Sequence, residues 1–121
     1  AIPVLSGVPL EEQKIMQYIK EYEPVSDFFL IDTKAPMAGD IGATGLTHDR
    51  EIDRVIVEST KVPCIIAGGL DADNVAEAIH VTHPYGVDSF SLTNYDDERA
   101  DTLHCKDPAK VKAFIEASQN A

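Results

Sequence analysis

The sequence predicts an α/β protein in which four strand-helix units follow one another. Short apolar runs of strand length alternate with segments whose apolar residues recur at three- and four-residue steps. Strict alternation of this kind favours a parallel sheet with right-handed connections. An open doubly wound sheet and a section of a (βα)8 barrel both fit, and both gather ligand chemistry at the carboxyl ends of the strands. No G-x-G-x-x-G follows a strand, so a dinucleotide site is not supported.

The first unit is an apolar strand over Ala1 to Leu5 followed by a helix that starts at about Pro9. Proline suits the first turn of a helix, where its missing N–H is not needed. The apolar positions of this segment predict a buried stripe made of Ile15, Tyr18, Ile19 and Tyr22.

The second unit begins with a strand over Asp27 to Ile31, a continuous apolar run typical of a strand covered on both faces. The run ends on Asp32. A loop of about sixteen residues follows, a length that a compact domain rarely keeps unless the loop has a function. The helix DREIDRVIVEST comes next, with Ile52, Val55 and Ile56 predicted to face inward.

The third strand, Val62 to Ala67, runs into Gly68 and Gly69, and Asp71 is a plausible N-cap for the helix after it. Cys64 lies inside this strand and is expected to pack as a small hydrophobic residue.

The fourth strand is predicted over Gly86 to Leu92, and the start of the last helix is marked by two sequence signals. Asp107 is its predicted N-cap and Pro108 its first residue. The inward stripe of this helix is predicted to be Val111, Phe114 and Ile115.

The amino-acid composition limits which classes of protein this chain can belong to. The 121 residues are 44% hydrophobic and 26% charged, which is typical of a folded globular domain and argues against intrinsic disorder. No run approaches the ~18 apolar residues of a membrane span, and the first residues lack the features of a signal peptide, so we expect a cytoplasmic protein. The 21 acidic and 10 basic residues give a net charge of −11, which disfavours nucleic acid and anionic membranes as partners.

Two glycine-containing segments are candidates for binding phosphate. Gly68 and Gly69 permit close backbone approach, and the helix that follows offers N–H groups to an anion, although a tight strand-to-helix turn requires the same small residues. The second candidate is GATG in the long loop, with Gly42, Thr44 and Gly45, for which a plain surface loop is the alternative.

Asp32 is the candidate acid because it stands where a strand leaves a dry core, a place from which a carboxyl group can act as general acid. A turn or capping aspartate is the structural alternative. His104 and Cys105 have no further Cys or His at a recognised ligand spacing, so we predict no metal site.

Five motifs occur in one order along almost the whole chain, namely FFLIDT, GATGLTHD, VPCIIAGGLDADNVAEAI, GVDSFSLTN and KDPAKVKAFIEA. This order resembles the carboxyl-terminal half of the phosphoribosylanthranilate isomerase family. That family carries a strand ending L-L-D, a G-G-T-G-K-T-F-D loop, L-A-G-G-L-x-P-E-N-V, and G-V-D-V-S-S-G-V-E before K-D-x-x-K-I-x-x-F. The resemblance implies a (βα)8 TIM barrel, of which residues 1–121 supply strands five to eight.

The resemblance also implies an activity. The family carries out an Amadori rearrangement of N-(5-phosphoribosyl)anthranilate in tryptophan biosynthesis, without metal or organic cofactor. Asp32 matches the family's general acid, which protonates the furanose ring oxygen as the ring opens to a Schiff base. The family's general base is a cysteine at the end of the first strand, and no residue here matches it, since Cys64 and Cys105 lie elsewhere.

The phosphate of a phosphorylated sugar substrate is expected at Gly68, Gly69 and Ser91, which match the family's positions after strands seven and eight. In the long loop Gly42, Thr44 and Gly45 match, whereas Leu46 stands where a lysine is usual. Leu92 and Asn94 replace a glycine and a glutamate of the last motif. These departures leave two alternatives, a non-catalytic sugar-phosphate-binding paralogue or a half-barrel assembly module.

Length favours half a barrel. A (βα)8 barrel takes about 250 residues, and an isolated half has open sheet edges and uncovered apolar side chains. We therefore expect the chain to need the other half-barrel or to self-associate. A relative of indoleglycerol phosphate synthase is a weaker alternative, because that family's strand-end glutamate pattern is missing.

Overall fold

A computed structural model describes residues 1–5, 8, 13–34, 45–99 and 105–121, and their strands form one parallel sheet. The strands are β1 (Ile2–Leu5), β2 (Phe29–Lys34), β3 (Cys64–Ala67) and β4 (Gly86–Val87), in the order β1-β2-β3-β4. The helices are α1 (Ile15–Tyr22), α2 (Gly45–Ser59), α3 (Val75–Thr82) and α4 (Pro108–Gln119), with 3-10 turns at Glu23–Val25 and Ser91–Thr93. The predicted class, four parallel strand-helix units, is confirmed. Within these ranges no helix is long and apolar enough to cross a membrane.

The core lies between one face of the sheet and the helices. Ile2, Ile31 and Ile66 are neighbours in register across three strands, and all three are buried. Side chains alternate between the two faces of a strand, so these residues define the helix-covered face. Helix residues complete the cluster, among them Ile15, Ile19, Ile56, Val75, Ala78 and Phe114. Cys64 belongs to this cluster, which confirms its predicted packing role.

The opposite face of the sheet, here called the open face, is less well covered. It carries Pro3, Leu5, Leu30, Asp32, Ile65 and Ala67, which alternate with the buried residues of β1, β2 and β3. Pro3 and Leu5 are exposed, whereas Leu30 and Ile65 are half-buried. The prediction that β2 is covered on both faces is therefore wrong, because only the helix side of this strand is fully packed.

Two strand boundaries differ from the prediction. β2 begins at Phe29 and continues through Asp32 to Lys34, because the backbone at residues 32–34 pairs with Pro3, Val4 and Leu5 of β1. β4 ends at Val87, and the predicted continuation to Leu92 is instead a bend followed by a 3-10 turn. Asp32 thus lies within a strand, and Ser91 within a turn.

Helix α1 begins at Ile15, after Lys14 in a left-handed conformation, and the predicted start near Pro9 lies outside the described residues. Helix α2 begins at Gly45 rather than Asp49, so the predicted sixteen-residue loop is shorter at both ends.

Three side chains predicted to face inward are exposed instead, namely Tyr22, Val55 and Ile115. Tyr22 ends α1 and stacks on Tyr18 with ring centroids 4.6 Å apart. On α2 the inward stripe passes through Asp53 and Ile56, which turns Val55 outward.

One of the two predicted helix caps is confirmed. The Asp107 carboxylate accepts a hydrogen bond from Ala109 N at 2.9 Å at the start of α4. The prediction that Asp71 is the N-cap of α3 is wrong, because α3 starts at Val75 and its N-cap residue is Asn74. The Asp71 carboxylate instead accepts from the N–H groups of Asp73 and Asn74 at 2.8 and 3.1 Å, in the turn that precedes the helix.

Candidate functional site

A cleft of about 330 Å³ lies at the carboxyl ends of β2 and β3. Its lining brings together four of the predicted site residues, namely Asp32, Gly68, Gly69 and Ser91. These residues come from three separate segments of the chain, and the parallel sheet places the ends of those segments side by side. Of the predicted loop residues, Gly42 and Thr44 lie outside the described residues, and Gly45 is the first residue of α2.

Asp32 reaches the cleft from the middle of β2. In register it lies between Pro3 of β1 and Ala67 of β3, and it is half-buried. Its neighbours on the strand, Ile31 and Thr33, are buried on the helix side, so the Asp32 carboxylate stands on the open face. From that face it can contact a ligand in the cleft.

Gly68 is required by the local backbone. Its φ is +99°, and a Cβ at this position would lie 2.1 Å from the carbonyl oxygen of Thr33. Gly69 also has positive φ, +64°, but nothing would crowd its Cβ. The tight-turn interpretation of the glycine pair therefore holds for Gly68, and the same turn forms one wall of the cleft.

The carbonyl groups of this turn are held by side chains from three different segments. Arg50 Nη2 donates to Gly68 O at 3.4 Å, and Asn74 Nδ2 donates to Gly69 O at 2.8 Å. Ser89 Oγ donates to Leu70 O at 2.8 Å. With its carbonyls occupied in this way, the turn has a defined orientation beside the cleft.

A buried ion pair on α2 was not predicted from the sequence. Arg50 Nη1 donates to Asp53 Oδ2 at 2.9 Å, and Thr33 Oγ1 donates to Asp53 Oδ1 at 2.8 Å. All three side chains are buried, Asp53 completely. The three-residue spacing of Arg50 and Asp53 is the only signal in the sequence, and it is equally typical of an exposed surface pair.

Asp88 is a second carboxylate of the cleft that sequence reasoning missed. It follows β4 directly, and its N–H donates to Ile66 O at 2.9 Å, which continues the sheet pattern by one residue. Phe90 and Leu92 also line the cleft and are exposed. None of the described lining residues is a lysine or an arginine, so an anion there would depend on backbone N–H groups.

The 3-10 turn at Ser91–Thr93 is followed directly by a buried polar residue. Asn94 is buried, and its Oδ1 has no hydrogen-bond partner among the described residues. This asparagine stands where the resembled family has a glutamate.

Neither cysteine is placed to act as a base in this cleft. Cys64 points to the helix side of β3, opposite to Asp32, and burial raises the pKa of its thiol to about 11. Cys105 comes just before Lys106, which forms an isolated bridge with Asn94, and is not part of the cleft lining. His104 lies outside the described residues. Within the described part of the chain, no three His, Cys, Asp or Glu side chains are grouped closely enough to hold a metal ion.

Comparison with known proteins gives one consistent result. Residues 3–117 match the family model described as N-(5′phosphoribosyl)anthranilate (PRA) isomerase. The N-(5′-phosphoribosyl)anthranilate isomerase 2 of Methanosarcina mazei is 40% identical over 106 residues, covering 88% of this chain and 44% of that protein.

Two solved structures agree with the sequence match. The isomerase of Pyrococcus furiosus superposes with a TM-score of 0.64 at 28% identity, covering 98% of this chain and 50% of that one. The isomerase of Thermotoga maritima gives a TM-score of 0.67 at 26% identity, covering 98% and 51%. The chain therefore spans about half the length of the relatives that it matches, and its four units match half of their barrels.

Proposed function

Because the chain belongs to the PRA isomerase family, we propose that it forms the carboxyl-terminal half of an isomerase barrel and supplies its general acid and its phosphate site. The observation that carries this proposal is the convergence of Asp32, Gly68, Gly69 and Ser91 on one cleft. These residues match the family's functional positions in sequence, and they come from three segments far apart along the chain. The substrate would be N-(5′-phosphoribosyl)anthranilate, and the reaction an Amadori rearrangement in tryptophan biosynthesis.

In this proposal Asp32 opens the sugar ring. Its protonated carboxyl group donates to the furanose ring oxygen while the bond from that oxygen to the first sugar carbon breaks. The nitrogen lone pair forms the Schiff base, and the positive charge then resides on nitrogen. A base next removes the proton from the second carbon to give an enolamine, which tautomerises to the ketose product. Asp32 is suited to this role because it lies on the open face, where a ligand can approach its carboxyl group.

In this proposal the base, which is a cysteine at the end of the first strand in the resembled family, comes from outside these 121 residues. Cys64 is buried on the wrong face of β3, and burial raises its thiol pKa. In a complete barrel the missing strands would face the open face of this sheet. The partner would therefore be the first half of the barrel, which would cover Leu5 and Leu30 and bring the base to the cleft.

The phosphate group would lie at the glycine end of the cleft. Asp32 and Asp88 would repel an anion, whereas the glycine turn after β3 carries no acidic side chain and can offer the N–H groups of Gly69 and Leu70. The phosphate would therefore be held by the backbone of the glycine turn, and the sugar would extend from it toward Asp32.

The test uses the chain assembled with a complementary half. We would co-express residues 1–121 with the amino-terminal half of the Methanosarcina mazei relative and measure isomerase turnover. Asp32→Asn should lower kcat by about 100-fold or more, the usual contribution of a general acid. Asp27→Asn is the matched control, since Asp27 is exposed at the other end of the same segment and should leave turnover unchanged. Equal turnover of Asp32→Asn and the unmodified assembly would refute the assignment of the acid.

A second candidate function is sugar-phosphate binding without catalysis. It is favoured by one observation, the replacement of the family's glycine and glutamate by exposed Leu92 and buried Asn94 beside the cleft. In that case the assembly would bind ribose 5-phosphate but show no turnover, whichever residue occupies position 32.

A further inference from the structure

The Arg50–Asp53 pair lies behind the cleft rather than in it. Arg50 lines a separate small cavity of about 30 Å³ with Asn74 and Glu77, on the helix side of the turn after β3. Arg50 and Asn74 therefore approach Gly68 and Gly69 from the side opposite to a ligand in the cleft.

The geometry of the peptide unit gives this placement a consequence. In a trans peptide the carbonyl of one residue and the N–H of the next point in opposite directions, and the described chain has no cis peptide bond. Arg50 holds the carbonyl of Gly68, so the N–H of Gly69 points away from α2. Asn74 holds the carbonyl of Gly69, so the N–H of Leu70 points away from the start of α3. Both N–H groups are thereby directed to the side on which the cleft lies.

Charge strengthens the effect. A guanidinium bound to the Gly68 carbonyl polarises that peptide unit and makes the N–H of Gly69 a better donor. Asp53 in turn fixes the guanidinium, and Thr33 fixes Asp53. Thr33 follows Asp32 directly in β2, so one buried network ties the acid-bearing strand to the glycine turn.

We propose that Arg50, held by Asp53, is a positioning residue that orients the N–H groups of the Gly68–Gly69 turn toward the phosphate of the substrate. This inference rests on the proposed phosphate site and adds the residues that act behind it. A buried ion pair is weak evidence for stability, and in some proteins such pairs specify one geometry, which is the role proposed here.

The experiment follows the amide resonances of Gly69 and Leu70 in the isotope-labelled 121-residue chain during a titration with ribose 5-phosphate. Arg50→Lys keeps the charge but loses the planar fork that reaches Asp53 and Gly68 together. The double variant Arg50→Met with Asp53→Asn removes the pair without leaving an unpaired buried charge, and an amide spectrum with native dispersion shows that each variant is folded. Arg54→Lys is the matched control, because Arg54 lies one turn further along α2 and pairs with Glu51 and Glu58 on the surface.

We expect binding about tenfold weaker in Arg50→Lys and in the double variant, equivalent to the loss of one good hydrogen bond, with smaller ligand-induced shifts at Gly69. Arg54→Lys should bind as the unmodified chain does. Unchanged affinity and unchanged Gly69 shifts in both Arg50 variants would overturn the positioning role and leave the proposed function intact. No shift at Gly69 or Leu70 in the unmodified chain would overturn the phosphate site itself, and the positioning role with it.

Discussion

Gly68 is the residue at which the chain leaving β3 packs directly against the backbone of β2. Its missing side chain lets the turn approach the Thr33 carbonyl, and its positive φ starts the turn that carries the proposed phosphate site. Gly69 also has a positive φ, but a Cβ there would meet no other atom, so only Gly68 excludes a side chain on steric grounds.

The first prediction compares the cost of an alanine substitution at each of the two glycines. Gly68→Ala should lower the free energy of unfolding by about 3–5 kcal/mol, because it combines backbone strain with a severe overlap. Gly69→Ala should cost only about 1–2 kcal/mol, the penalty of a left-handed conformation alone. Urea unfolding of both variants measures the difference. Equal effects at the two positions would show that the close approach to Thr33 is not a constraint.

The second prediction concerns pH and Cys64. Burial raises the pKa of this thiol from 9.0 to about 11, so between these values the unfolded chain loses the proton while the folded chain keeps it. The stability associated with the neutral thiol is therefore complete below pH 9 and is lost as the pH rises through 11, by about 3 kcal/mol in total.

Urea unfolding at pH 8, 9.5 and 11 tests this. Cys64→Ala should be less stable at pH 8 but should show a smaller decline at alkaline pH than the unmodified chain. Parallel declines in the two proteins would mean that Cys64 titrates normally in the folded state.

At the scale of the elements, the existence and parallel order of the four units follow from the apolar pattern, but their ends do not. β2 extends over Asp32 to Lys34 because its backbone pairs with β1, and backbone pairing leaves no mark on the side-chain pattern. Arg50 and Asp53 could not be found either, since charged residues on a helix are usually solvated. Asp32 and the glycine pair line the cleft as expected, because the end of an apolar run and a glycine turn are both visible in the sequence.

The third prediction concerns the start of α4. Asp107→Ala removes the side chain that accepts from Ala109 N and should destabilise the fold by about 1 kcal/mol. Asp107→Asn keeps an acceptor of the same shape and should stay within a few tenths of a kcal/mol. Thermal unfolding compares them, and an alanine variant as stable as the asparagine variant would contradict the capping role.

At the scale of the whole molecule, exposed apolar surface favours association between copies of the chain, whereas net charge opposes it. The open face exposes Leu5 at 52% and leaves Leu30 and Ile65 half-buried, whereas a net charge of −11 makes copies of the chain repel one another. Added salt screens the repulsion but leaves the apolar attraction intact.

The fourth prediction follows from that balance. In about 0.5 M NaCl, where charges more than a few ångströms apart are screened, light scattering should give a mass of at least twice 13.2 kDa. Leu5→Lys on the open face should shift the chain toward the monomer. Val25→Lys should not, although Val25 is 79% exposed, because it lies in a 3-10 turn outside the sheet. A stable monomer at high salt would argue that the open face needs no partner.

The most direct test of the central claim is isomerase turnover by the purified 121-residue chain, alone and together with the amino-terminal half of the Methanosarcina mazei relative. The chain carries the proposed acid and phosphate site, and the proposed base belongs to the complementary half, so alone the chain should show no turnover above the uncatalysed rate. Addition of the complementary half should restore turnover of N-(5′-phosphoribosyl)anthranilate. Enzymatic turnover by the chain alone would contradict the account, because the base would then have to lie within these 121 residues.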